Sequence, residues 1–243
     1  MSTTSQAMII LSVILSILFL SLAIYAVIVF TSVARYAKYW QAGNQKPVAD
    51  TSIVLVALGD STAQSIGATS PNKGFVGQVA SRLAKEKGQS VQVYNYSKTG
   101  AEAGEVLAEQ LTQPDIIKQA DLVLVAVGPN DLNHDVALEE YLNNYQAILD
   151  KLPKDKVVIA SIPPLMRSKI RGNTVDDWNR DLKQLAHKNK VRVAPVYEAI
   201  KPHAYDPRIY SVDLFHPSNH GYSLWAGAFY EQVQKLEFPG VIQ

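Results

Sequence analysis

The sequence predicts a three-layer α/β/α domain around a mostly parallel sheet of about five strands, preceded by one N-terminal apolar helix. Three observations carry this. Short β-rich runs alternate with helix-like stretches from about residue 50 onward, the pattern of strands joined by helical crossovers. Two of those runs, Ser52–Leu58 (SIVLVAL) and Leu122–Val127 (LVLVAV), are almost continuously apolar, as central strands covered on both faces are. Finally, the first charged side chain is Arg35, so all 23 basic and 22 acidic residues belong to the rest of the 243-residue chain.

In chain order, residues 1–7 form a short tail. Residues 8–30 (MIILSVILSILFLSLAIYAVIVF) are free of charge and interrupted only by Ser12, Ser16 and Ser21. At about 1.5 Å per residue this run makes a helix of roughly 35 Å, enough for a hydrocarbon core of about 30 Å. Serine hydroxyls can return their hydrogen bonds to a carbonyl one turn back. The tail has no basic residue and the run exceeds a signal-peptide core, so a retained single-pass anchor is expected in contact with a lipid bilayer. Arg35, Lys38 and Lys46 follow the span and no basic residue precedes it. By the positive-inside rule this puts the main domain in the cytoplasm, the extracytoplasmic side being the alternative. Residues 31–50 read as a juxtamembrane segment, in which Tyr36, Tyr39 and Trp40 form an interfacial collar and Gln41–Ala49 a linker.

Residues 51–240 read as one domain without repeat or internal break. After the first strand, Phe75–Lys87 carries Phe75, Val76, Val79, Ala80 and Leu83 on one helical stripe, and Gly88 stops it. Further strands are expected at Val91–Tyr94, Lys156–Ala160 and Val191–Ala194. Further helices are expected at Glu102–Leu111, Val136–Leu152, Thr174–Lys188 and Ser218–Lys235, the last capped by Ser218.

With 47% hydrophobic and 19% charged residues the chain can bury a real core, and its formal charge of +1 gives no electrostatic reason to expect a nucleic acid partner. The absence of cysteine excludes disulfides, thiolate nucleophiles and every cysteine-based metal site. His134, His187, His203 and His220 stand in separate segments without metal-binding spacing, and the turn after the first strand lacks both glycine-rich phosphate motifs, so no cofactor and no metal are expected.

In parallel sheets the functional crevice lies beyond the carboxyl ends of the strands, where the distinctive residues fall. Strand one ends in Gly59-Asp60-Ser61, strand two in Asn95 and Gly100, strand three in Gly128-Pro129-Asn130-Asp131, and strand four in Pro163-Pro164; Asp213 and His216 precede the last helix. Each alone also reads as ordinary turn chemistry. Together they describe acyl transfer to water. A serine at a strand end can present its hydroxyl and leave its own N–H free, as Ser61 would; His216 can serve as its base, Asp213 can hold the imidazole tautomer, and the Gly100 N–H and Asn130 amide could complete an oxyanion hole with Ser61.

At these residues the chain resembles the SGNH hydrolase superfamily, the GDSL-type lipases and esterases, over roughly residues 52–235. Gly59-Asp60-Ser61 is similar to the first family block, the segment Asn95 to Gly100 to the second, Gly128–Asp131 to the GxND block and Asp213–His216 to the final DxxH block. The resemblance implies a flavodoxin-like sheet, Ser61, Asp213 and His216 as catalytic residues, and Ser61, Gly100 and Asn130 as oxyanion donors. The chain has GDST in place of the fuller GDSLS or GDSxT pattern and lacks the GxSxG elbow of larger α/β-hydrolases. The function expected is a serine esterase working through an acyl-enzyme, a lysophospholipase or a short-chain or aryl esterase. The alternatives are an O-acetyl esterase or acyltransferase on cell-envelope carbohydrate, or a non-catalytic membrane-tethered binding protein. Phe75, Leu132, His134, Pro164 and Leu165, with Met166, are expected near the crevice as substrate-binding residues.

Overall fold

The computed structural model describes residues 3–49, 52–164 and 172–238. Five strands, β1 (Ile53–Gly59), β2 (Val91–Asn95), β3 (Leu122–Ala126), β4 (Val157–Ala160) and β5 (Arg192–Ala194), form one sheet in the order β2-β1-β3-β4-β5. Every pairing is parallel, with Leu55 opposite Val93 on one side and Leu122 on the other. β1 and β3 are central and buried along their whole length, as their apolar runs predict. The strand order reverses beside β1, which makes the carboxyl ends of β1 and β3 the natural place for a site.

The helices are α1 (Thr3–Asn44), α2 (Phe75–Lys87), α3 (Ala103–Glu105), which continues as a π turn through Gln110, α4 (Pro114–Gln119), α5 (Pro129–Asn133), α6 (Leu138–Asp150), α7 (Val175–Lys188), α8 (Val196–Ile200) and α9 (Asn219–Val233). Side-chain alternation splits the core in two. On one face Val54, Val56, Leu58, Val123 and Val125 lie with Tyr141, Tyr145, Trp178 and Leu182 of α6 and α7. On the other, Ile53, Leu55, Ala57 and Leu124 lie with the apolar faces of α2 and α9.

Two residues expected at the crevice belong instead to these layers. Phe75 is fully buried, stacked on Phe229 with ring centroids 4.6 Å apart and flanked by Tyr222 and Trp225. Its place on the Phe75-Val79-Leu83 stripe of α2 turns it onto the sheet. Leu132 is likewise fully buried in the opposite layer, because one turn of α5 directs it inward while Asn130 stays at the surface of that turn.

Helix α1 runs unbroken for 42 residues, about 63 Å. Its stretch from Met8 is long and apolar enough to cross a membrane, and none of that window is buried against the domain. Beyond it, the helix docks. Tyr36 and Trp40 are buried, packed with Ile66 and flanked by Val33 and Val93. This corrects the collar reading for these two rings. The Tyr36 hydroxyl donates to the Ala68 carbonyl at 2.8 Å, and Trp40 Nε1 donates to the Gln64 carbonyl at 3.1 Å. An aromatic ring with one polar tip suits either a headgroup layer or a protein groove with a carbonyl in reach. Only Tyr39 stays exposed, bonded to Asn72 Oδ1 at 3.1 Å. The expected linker is shortened too, since helix continues to Asn44.

Candidate active site

Ser61 sits where β1 ends, on a turn that only glycine can begin. Gly59 has φ of 138°, and a Cβ there would fall 1.9 Å from the Ala126 carbonyl oxygen. The Gln110 side chain holds both polar groups of Gly59: the Gly59 N–H donates to Oε1 and Nε2 donates to the Gly59 carbonyl, each at 2.8 Å. Asp60 Oδ1 then accepts from the Thr62 N–H at 2.8 Å and from Thr62 Oγ1 at 2.7 Å. The turn is thereby fixed on both sides of Ser61, which is 6% exposed.

The partner turn carries Asp213 and His216. Asp213 Oδ1 accepts from the N–H groups of Phe215 and His216 at 3.0 and 2.9 Å, closing a tight turn with Leu214 at a φ of 54°. Asp213 Oδ2 lies 2.7 Å from His216 Nδ1. Burial works to raise the Asp213 pKa, but the hydrogen bonds from His216 and the two backbone N–H groups outweigh it and hold the carboxyl below its ordinary value. An ionised carboxylate only accepts, so Nδ1 carries the proton and Nε2 presents its lone pair. Nε2 stands 2.9 Å from Ser61 Oγ. Gly67 makes this approach feasible, because a Cβ there would meet the Pro217 carbonyl oxygen at 2.5 Å and His216 Cβ at 2.7 Å.

Two backbone donors beside this line are unpaired. Among the described residues the N–H groups of Ser61 and Gly100 make no hydrogen bond, although those of Asp60, Thr62, Thr99 and Ala101 do. Asn130 Nδ2 donates one hydrogen to the Ala101 carbonyl at 3.0 Å, which leaves its second hydrogen to give. A hydroxyl backed by a base is equipped to attack a carbonyl, and N–H groups without an internal acceptor are equipped to hold the charge that develops on its oxygen.

The remaining expected contacts divide. His134 is exposed, its Nδ1 2.6 Å from Glu102 Oε1, and Pro164 is half-buried after β4. Leu165 and Met166 lie outside the described residues. Several supporting residues were not expected from the sequence. Gln110 grips Gly59; Gln64 Oε1 accepts from the Thr99 N–H and hydroxyl; Asn179 brackets Ile162, accepting its N–H at 2.7 Å and donating to its carbonyl at 2.9 Å. Gln110 and Asn179 did leave a trace: each occupies an apolar stripe, Ala103-Val106-Gln110 and Val175-Asn179-Leu182-Ala186. An amide there has to find partners inside the fold.

Two further carboxyls shape the pH response. Asp131, fully buried, accepts from the Ala103 N–H at 3.1 and 3.2 Å, and burial pushes its pKa up to about 7. Burial likewise lifts Asp60 to about 6, against the lowering pull of Thr62. The native state keeps these protons to a higher pH than the unfolded chain does. Their contribution to stability is therefore full below about pH 4 and is lost as pH rises through about 6 to 7. Asp213 acts oppositely, its contribution being lost as pH falls through its depressed pKa. The thermal midpoint of the full chain in detergent micelles is expected to decline from about pH 4 to 7. Asp131→Asn, whose Oδ1 can still accept from Ala103, should flatten that decline. An equally steep profile in the variant would count against the assignment.

A parallel-sheet α/β/α domain with serine, imidazole and carboxylate in one hydrogen-bonded line at its carboxyl end has the arrangement of a serine hydrolase. The chain belongs to the GDSL-like Lipase/Acylhydrolase family, whose model matches residues 57–224 and so spans every residue of that line. It is 26% identical to the uncharacterized protein YpmR of Bacillus subtilis, over 77% of this chain and 84% of that protein. It is 27% identical to the spore germination lipase LipC of Bacillus licheniformis, over 70% of this chain and 92% of that protein. A lipase/acylhydrolase from Enterococcus faecalis, 18% identical, shares the fold with a TM-score of 0.63 over 77% of this chain and 99% of its own. The chain is thus a GDSL/SGNH-type hydrolase of acyl esters.

Proposed function

We propose that Ser61 is the nucleophile of a membrane-anchored esterase, with His216 as its base and Asp213 as the group that holds and stabilises the imidazolium. The observation that carries this reading is the 2.9 Å approach of His216 Nε2 to Ser61 Oγ. Ser61 Oγ attacks the ester carbonyl as its proton passes to Nε2. The developing oxyanion takes hydrogen bonds from the N–H groups of Ser61 and Gly100 and from Asn130 Nδ2. His216 returns the proton to the leaving alcohol, which leaves an acyl-serine. Water, deprotonated by Nε2, attacks that acyl group, and collapse of the second oxyanion releases the acid and restores Ser61.

Asn130→Ala is expected to lower kcat on p-nitrophenyl esters by roughly 10²-fold, about 3 kcal/mol of transition-state stabilisation, with KM little changed. An unaltered kcat would remove Asn130 from the oxyanion hole. The nucleophile is tested by treating the full chain in detergent with an organophosphonate and mapping the adduct by mass spectrometry. Label on Ser61 supports the reading, and a chain that takes no label there does not use Ser61 as its nucleophile.

Residues 8–30 are read as a single-pass anchor, residues 31–50 as its junction and 51–240 as the catalytic domain. The three basic residues after the span favour the cytoplasmic side, and protease accessibility in intact cells tests this. Amphiphilic esters are the favoured substrates, because the anchor confines the enzyme to a surface where they concentrate, and one relative carries the name of a lipase. Turnover of p-nitrophenyl esters of increasing chain length, lysophospholipid and acetylated sugars separates lipid from acetyl chemistry.

A further inference from the structure

The way α1 meets the domain fixes which side of the enzyme faces the bilayer. Successive contacts of the chain run down β2 against its direction. Asn44 meets Asn95 at the carboxyl end of β2, its Oδ1 accepting the Asn95 N–H and its Nδ2 donating to the Asn95 carbonyl, each at 2.8 Å. The Lys46 carbonyl then accepts from Tyr94 Oη at 2.9 Å, and the Pro47 carbonyl from Gln92 Nε2 at 2.8 Å. Ala49 donates to Gln92 Oε1 before the chain turns up into β1. Residues before Asn44 therefore continue past the carboxyl end of the sheet. There Trp40 and Tyr36 seat on the Gln64 and Ala68 carbonyls, in the loop that follows Ser61. The apolar rod leaves the domain from the same end as the Ser61–His216 line.

The height is set as well. Trp40 lies ten positions beyond Phe30, where the apolar run ends, a helical rise of about 15 Å. The polar layer of one leaflet accounts for about 5–8 Å of that. The turn that carries Asp213 and His216 also displays two apolar side chains to solvent, Leu214 at 69% and Phe215 at 52% exposure. Phe215 lies edge-on to the His216 ring, with centroids 4.9 Å apart. An exposed apolar pair of this kind suits a site turned toward a lipid surface.

We infer that α1 is a rigid strut that holds the mouth of the site toward the bilayer carrying it, and that the substrate is an ester residing in that same bilayer. This rests on the serine-esterase and membrane-span readings above. Trp40, Tyr36 and Asn44 lock the strut, so the domain is held at one height and one face. Leu214 and Phe215 meet the interface where the ester carbonyl lies.

The test inserts seven helix-forming polar residues between Phe30 and Thr31 of the full chain. This lifts the domain by about 10 Å while nearly preserving helical phase, and it leaves every docking contact from Val33 onward in place. Wild type and insertion variant are reconstituted in phosphatidylcholine vesicles and assayed on p-nitrophenyl palmitate dissolved in those vesicles and on p-nitrophenyl acetate in water. The insertion should lower palmitate turnover about tenfold or more, as the reachable ester concentration falls, and leave acetate turnover unchanged. Equal turnover of palmitate by both proteins overturns the inference. A parallel loss on both esters also overturns it, since the helix would then act through the fold and not through height. Flotation of the wild-type chain with the vesicles tests the span separately, and a Ser61→Ala chain that still cleaves the acetate would sink the nucleophile assignment whatever the insertion does.

Discussion

Ser61→Ala is expected to lower kcat on p-nitrophenyl esters by about 10⁴- to 10⁶-fold, with the thermal midpoint of the protein unchanged. The substitution removes one oxygen whose recorded partner is His216 Nε2. The turn does not depend on it, because Gln110 holds Gly59, the Asp60 carboxyl holds Thr62, and the Asp60 N–H donates to the Ala126 carbonyl at 3.0 Å. The residual rate should come from the N–H groups of Ser61 and Gly100 and from Asn130, which still polarise the carbonyl for attack by water. Side-by-side measurement of kcat and thermal midpoint separates chemistry from folding. If the variant retains more than about 1% of wild-type turnover, Ser61 is not the nucleophile.

Asp213→Asn is expected to cost about 10³- to 10⁴-fold in kcat while binding of the ester is retained. Asparagine keeps Oδ1, so the N–H groups of Phe215 and His216 still have their acceptor and the turn survives. What changes is the atom 2.7 Å from His216 Nδ1. An amide NH₂ there makes Nδ1 the acceptor and moves the ring proton to Nε2, where it faces Ser61 Oγ and cannot take a second proton. Asp213→Ala should cost at least as much and also loosen the turn. A variant whose kcat stays within about threefold of wild type would show that Asp213 shapes the loop and does not set the tautomer.

Much of this is legible in the sequence. The continuous apolar runs at Ser52–Leu58 and Leu122–Val127 required strands covered on both faces, and β1 and β3 are so covered. Phe75–Lys87 is a helix over the predicted span, because its stripe and Gly88 are local signals. The pairing of Asp213 with His216 was legible because three residues fit within one turn. Short elements escaped: α4, α5 and α8 span only five or six residues each, too few for a period to declare itself. Phe75 and Leu132 were misplaced for a related reason, since closeness in sequence to a strand end does not say which way a side chain turns.

The sequence by itself determined the strands, the burial of β1 and β3, the apolar rod and the four segments in which the candidate site residues lie, because periodicity, strand ends and turn residues are properties of neighbours along the chain. Only the tertiary structure brought Ser61 and His216, 155 residues apart, to 2.9 Å, set Gln110 on Gly59 and seated Trp40 and Tyr36 beneath the loop after Ser61. Those contacts join segments that no local pattern links, and a glutamine or an indole reads the same in sequence whether it faces water, lipid or a carbonyl in a distant turn.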